Sequence, residues 1–149
     1  MATIEQSVEV DVPVTTAYNQ WTQFEEFPKF MEGVEQVTQL DDKHTHWKVE
    51  IAGHGREFDS EITEQVPDQV IAWRSTTPPL NAGRAVFQPL EPNRCRVTLQ
   101  MEYEPEGMME NVGSSLGLVG SRAEGDLKRF KEFIESRGRE TGAWRGELH

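Results

Sequence analysis

Cysteine is nearly absent. Cys95 stands alone in 149 residues, so no intramolecular disulfide framework exists. Basic charge is also short: 15 Lys and Arg against 26 Asp and Glu leave a net charge of −11, the wrong sign for a nucleic-acid or anionic-membrane footprint. No apolar run approaches the roughly 20 residues that span a bilayer. The opening Met1-Ala2-Thr3-Ile4-Glu5 lacks the basic and apolar regions of a signal peptide. There is no internal repeat and no low-complexity tract. The absences predict a cytoplasmic protein that engages neither nucleic acid nor the membrane interior. They leave its oligomeric state open between monomer and weak dimer.

The residues present describe one domain. Hydrophobic residues make up 36% of the chain, enough for a packed core in a domain of this length. Val8, Val10 and Val12 alternate with Glu9 and Asp11, which predicts a half-buried strand over Ile4 to Val12. Pro13 opens a helix that carries Val14, Ala17, Tyr18 and Trp21 on one face. A second short helix covers Phe24 to Lys29, inside an aromatic cluster of Phe24, Phe27, Phe30 and Met31. Six strands follow between Val34 and Glu104, punctuated by Asp41-Asp42-Lys43, Gly53-His54, Pro67-Asp68 and Glu91-Pro92-Asn93.

Turn chemistry fixes two expected registers. A two-residue hairpin at Gly53-His54 pairs Ala52 with Gly55, Val49 with Phe58 and Trp47 with Ser60, and sets Lys48 against Asp59 and His46 against Glu61. It also puts Arg56 beside Ile51 on the apolar face. A type I turn at Pro67-Asp68 pairs Val66 with Gln69, Ile62 with Trp73 and Glu61 with Arg74. Cys95, Val97, Leu99, Met101 and Tyr103 alternate with polar residues in the last strand. Residues 106–137 read as one long helical segment: Val119, Ala123, Leu127, Phe130 and Ile134 share a face, and Gly107, Gly113, Gly117, Gly120 and Gly125 interrupt it. Those glycines serve either close helix-on-sheet packing or ligand gating. Residues 1–137 are therefore the domain, and residues 138–149 are read as a flexible polar tail whose one large apolar side chain is Trp144.

This order resembles the helix-grip fold of the START-like, birch-pollen-allergen-like (SRPBCC) superfamily. The resemblance runs through Val-Asp-Val-Pro-Val at 10–14, Tyr18 to Trp21, Phe24 to Met31, Arg56 to Asp59, Ile62 to Pro67, Ile71 to Ser75, Gly83, Phe87, Pro89-Leu90 and Arg96 to Leu99. It covers about residues 3–137 and points to the polyketide cyclase/dehydrase branch, which is related to coenzyme-Q-binding START proteins. The implied class is α+β: a seven-stranded curved antiparallel sheet wrapped round the C-terminal helix, with two short helices between strands one and two. No cofactor is implied.

The candidate site follows from parity and from that fold. Trp47, Phe58, Ile62, Trp73, Phe87, Leu99, Met101 and Tyr103 line the face the long helix must cover, and in this family that interface often encloses a cavity. Tyr18 and Tyr103 add hydroxyls. Arg56 on the apolar face either anchors a ligand carboxylate, phosphate or carbonyl or reaches past the hairpin end to solvent. Phe24, Phe27, Phe30 and Met108 are placed near the entrance. His44 and His46 share a strand face, a spacing that can begin a metal site, but no third ligand suggests itself. Glu57, Asp59, Glu61, Lys48 and Arg74 form an outward charge ladder, and Cys95 is a buried structural thiol. No catalytic group stands out. The leading reading is a binding protein for a hydrophobic polyketide, lipid or quinone. The alternatives are an aromatase/cyclase that promotes aldol cyclisation and dehydration of a poly-β-ketone, with Arg56 and Tyr103 assisting, and a non-enzymatic quinone chaperone or stress-related interaction protein.

Overall fold

The computed structural model describes residues 2–31, 33–51, 54–77, 81–103 and 112–144. β1 (Ala2–Val10) leads through Pro13 into α1 (Val14–Trp21), and a 3-10 helix follows over Phe24–Lys29. Six strands come next: β2 (Val34–Gln39), β3 (His44–Ile51), β4 (His54–Val66), β5 (Val70–Ser75), β6 (Asn81–Glu91) and β7 (Arg94–Tyr103). The long helix α2 spans Val112–Arg137. All seven strands form one antiparallel sheet in the order β1-β7-β6-β5-β4-β3-β2, so the first strand closes against the last. This is the helix-grip arrangement that the sequence predicts. Among the described residues no helix is long and apolar enough to cross a membrane.

β1 stops two residues earlier than expected, because α2 takes over its backbone. Asp11 N–H donates to Glu135 Oε2 at 2.7 Å, which fastens the strand end to the helix instead of extending the ladder. At its C-terminus α2 is closed by Gly138 at φ 74°, whose N–H donates to Ile134 O at 2.9 Å. That left-handed cap suits glycine.

Both expected turns are corrected. In β3–β4 the true register is two residues tighter: Ile51 pairs with His54, Val49 with Arg56, Trp47 with Phe58 and Lys48 with Glu57. His54, expected in the turn, is the first residue of β4 and pairs with Ile51. A shift of two keeps every side chain on its expected face, so the apolar parity survives while the charge partners change. In β4–β5, Val66 pairs with Val70, not Gln69, and Asp68 sits at φ 64°. A left-handed third residue after proline marks a type II turn rather than type I. Thr15 Oγ1 donates to Asp68 Oδ2 at 3.0 Å and helps hold this turn against α1. Even so, Ile62 still meets Trp73 and Glu61 still meets Arg74, because a bulge between Ile62 and Glu64 absorbs the extra residue.

One apolar core joins sheet and helices. Ala123, Leu127, Phe130 and Ile134 of α2 are buried in it together with Val10, Tyr18, Trp21, Val37, Ile71, Ala85 and Val97. Residues 139–144 lie against α1. Asn19 Nδ2 donates to Glu140 Oε2 (2.7 Å), Gln20 Nε2 to Thr141 Oγ1 (3.1 Å), Thr141 N to Gln20 Oε1 (2.9 Å) and Trp144 N to Thr22 Oγ1 (3.1 Å).

Candidate functional site

The inner face of the sheet is where the predicted residues meet. Tyr18, Phe27, Trp47, Phe58, Ile62, Phe87 and Leu99 are all buried, and they share one contiguous core with the inward face of α2. Trp73 and Met101 lie on the same face but are only partly buried. Cross-strand pairing sets the geometry: Trp47 opposes Phe58, and their rings stack at 6.0 Å with 7° between planes. Phe27 reaches Trp47 at 5.7 Å, and Tyr18 meets Phe87 edge-on at 5.4 Å. Met108 lies outside the described residues, as does the side chain of Tyr103.

Phe24, Phe27 and Phe30, expected near an entrance, are buried in the interior. Trp21 packs against Phe27 at 5.5 Å and Phe130 at 5.1 Å, and Phe30 meets Phe130 at 5.2 Å. Arg129 Nε donates to Phe30 O at 3.0 Å, so α2 grips this aromatic cluster by its backbone as well. Arg56 is half-buried opposite Val49, not beside Ile51, and its Nη1 donates to Gly55 O at 3.1 Å at the hairpin end.

Polar groups on the inner face fall into two kinds. Thr45, Ser60 and Ser75 stand opposite one another across β3, β4 and β5, all buried. Their hydroxyls serve the chain itself: Trp47 Nε1 donates to Thr45 Oγ1 (2.8 Å), Ser60 Oγ to Arg74 O (3.0 Å) and Asn81 N to Ser75 Oγ (2.8 Å). Gln65 is different. It is 1% exposed, and neither Nε2 nor Oε1 has a hydrogen-bond partner among the described residues. Trp21 Nε1 is likewise buried without one. An unpaired buried amide costs about 1–3 kcal/mol. Sequence parity missed Gln65. Counting twos from Ile62 places residue 65 outside, and only the bulge at Thr63 turns it inward, opposite Ile71.

The outer face carries the charge. His44 Nδ1 lies 2.9 Å from Asp41 Oδ1. His46 Nδ1 lies 2.6 Å from Asp59 Oδ1, and Nε2 lies 3.1 Å from Glu57 Oε1. The two imidazoles therefore hold separate carboxylates. The His46 pKa is raised above 6.5, first by the Asp59 hydrogen bond and then by Glu57. Lys43 Nζ reaches Glu61 at 3.6 Å. An outer depression of about 480 Å³ is lined by Thr3, Glu5, Arg74, Arg84, Gln100 and Glu102 among others. Ala72, Trp73 and Ala82 line it too, so its wall is part charged and part apolar. Burial pushes the Cys95 thiol up to about 11.

A coiled antiparallel sheet gripping one long helix, with an apolar inner face, defines a START-like helix-grip protein. The chain belongs to the family described as polyketide cyclase / dehydrase and lipid transport, whose model matches residues 10–132. It is 51% identical over 149 residues to an uncharacterized 17.2 kDa protein of Streptomyces lincolnensis, covering 99% of both chains. A START superfamily protein from Mycobacterium smegmatis shares the fold with a TM-score of 0.80 at 17% identity, over 91% of this chain and 98% of that one. The Zhui aromatase/cyclase from a Streptomyces species does so with a TM-score of 0.78 at 19% identity, over 96% and 99%.

Proposed function

We propose that the protein binds a hydrophobic small molecule of polyketide, lipid or quinone type between the inner face of the sheet and α2. The observation that supports this most is the uneven covering of that face. Trp47, Phe58, Ile62, Phe87 and Leu99 are buried, whereas Trp73 and Met101 beside them stay partly open. Apolar walls with a few convergent polar groups are the usual form of such sites. Each 100 Å² of apolar ligand surface buried contributes about 2.5 kcal/mol, against about 1 kcal/mol net for one hydrogen bond. The walls therefore supply affinity and the polar groups supply orientation. The test is to denature the purified protein, extract it and examine the extract by mass spectrometry. A stoichiometric apolar compound is expected. An empty extract, together with failure to take up any added apolar probe, would contradict the reading.

The second reading is cyclisation and dehydration of a poly-β-ketone, and it rests on Arg56. A guanidinium on the inward parity of β4 would polarise a ligand carbonyl, and the same fold serves the Zhui aromatase/cyclase. Arg56→Ala should then abolish turnover of a poly-β-ketone while leaving the melting temperature nearly unchanged. Unaltered turnover removes Arg56 from the chemistry.

A further inference from the structure

Gln65 is a polar side chain delivered deliberately to an apolar wall. The bulge between Ile62 and Glu64 breaks the alternation of β4 and turns residue 65 inward, opposite Ile71. Ile71 pairs in turn with Ala85, Ala85 with Leu99, and Leu99 with Gln6 of the edge strand β1, so the row between the two amides, Ile71, Ala85 and Leu99, is apolar. All three of those neighbours are buried. Among the described residues neither Nε2 nor Oε1 is bonded, although Gln65 is 1% exposed. The hydroxyls of Thr45, Ser60 and Ser75 on the same face are committed to chain partners. Gln65 is thus a fully buried inner-face side chain that holds a donor and an acceptor in reserve, whereas Gln6 across the row is only partly buried. Trp21 Nε1, from a different element, adds a second uncommitted donor to the same core.

We infer that Gln65 reads the polarity of the ligand, an inference that rests on the binding function proposed above. A carboxamide presents its C=O acceptor and N–H donor side by side in one plane. Its complement is a flat apolar molecule with a donor beside an acceptor on one edge, as in a lactam or a carboxylic acid. A hydrocarbon of the same shape fills the walls and leaves the amide unsatisfied. A site built around a polar group rejects ligands that cannot pair with it.

Two probes separate shape from polarity. Phenanthridinone carries N–H beside C=O on three fused rings, and phenanthrene has three fused rings without either group. Both are titrated into wild type, Gln65→Leu and Gln65→Met by quenching of tryptophan fluorescence, and the free proteins are melted alongside. Both variants should lose phenanthridinone affinity by about tenfold, keep phenanthrene affinity within about twofold of wild type, and melt no lower than wild type. Equal changes for both probes, or no change for either, overturn the role of Gln65 while leaving the binding site intact. A large fall in melting temperature in both variants also overturns it, because the amide is then serving the fold. If neither probe binds wild type, the proposed binding function falls along with the inference.

Discussion

His46 is held between two carboxylates, and this gives stability a pH dependence with a defined sign. Its pKa is raised in the fold, chiefly by Asp59 and next by Glu57. The folded chain therefore binds the proton more tightly than the unfolded chain. This stabilisation is fully present below 6.5 and is lost as pH rises through the elevated folded value. The imidazole is partly exposed, so screening limits the effect to a few tenths of a kcal/mol. Urea midpoints of wild type and His46→Gln should differ in acid and converge in alkali; a gap that widens with pH would reverse the assignment. The Cys95 pKa is raised as well, but by a different cause: burial disfavours the thiolate and keeps the thiol protonated. Iodoacetamide near neutral pH should leave the native protein unmodified and label it promptly once unfolded. Labelling of the native protein at the unfolded rate would mean the strand is not packed as described.

Individual elements show where sequence reading succeeded and where it stopped. Alternation located the strands, because a period of two survives errors in the turn: the β3–β4 register is off by two, and Trp47 and Phe58 still share the inner face. A bulge defeats the same logic. Thr63 carries no composition signal, yet it reverses the parity of Gln65, so the least satisfied polar group on the inner face was invisible to alternation. Gly83 shows a close approach that only coordinates reveal. A Cβ there would lie 2.3 Å from Trp73 Cζ2, so the indole occupies the space a side chain would need. Gly83→Ala should push Trp73 off its place, cost about 1–3 kcal/mol and shift the tryptophan emission; an unchanged melting curve and spectrum would contradict this packing. The segment after Gly138 is bonded to α1 through Asn19, Gln20 and Thr22. Truncation after Gly138 should lower stability by about 1–3 kcal/mol, since Gln20 loses both partners. No loss would mean those bonds exchange freely with water.

For the molecule as a whole, charge and greasy surface are sorted to opposite sides of one coiled sheet. Acidic and basic side chains form the outer ladder, while the inner face and α2 share the core. Family and fold were legible from the order of elements, because a sheet with one apolar face and a single long amphipathic helix have few ways to cover each other. The inner face in detail was not legible, since its shape depends on ring positions and on one displaced residue rather than on pattern. The four tryptophans provide a direct test. Trp21, Trp47 and Trp73 belong to the inner face and its core, whereas Trp144 sits beyond α1. The decisive measurement is the shift of the four indole N–H signals in a ¹H–¹⁵N spectrum as phenanthridinone is added. Binding in the grip of the helix moves the signals of Trp47 and Trp73, with Trp21 following, and leaves Trp144 in place. A titration that moves Trp144 alone, or moves none of the inner three, would contradict the account.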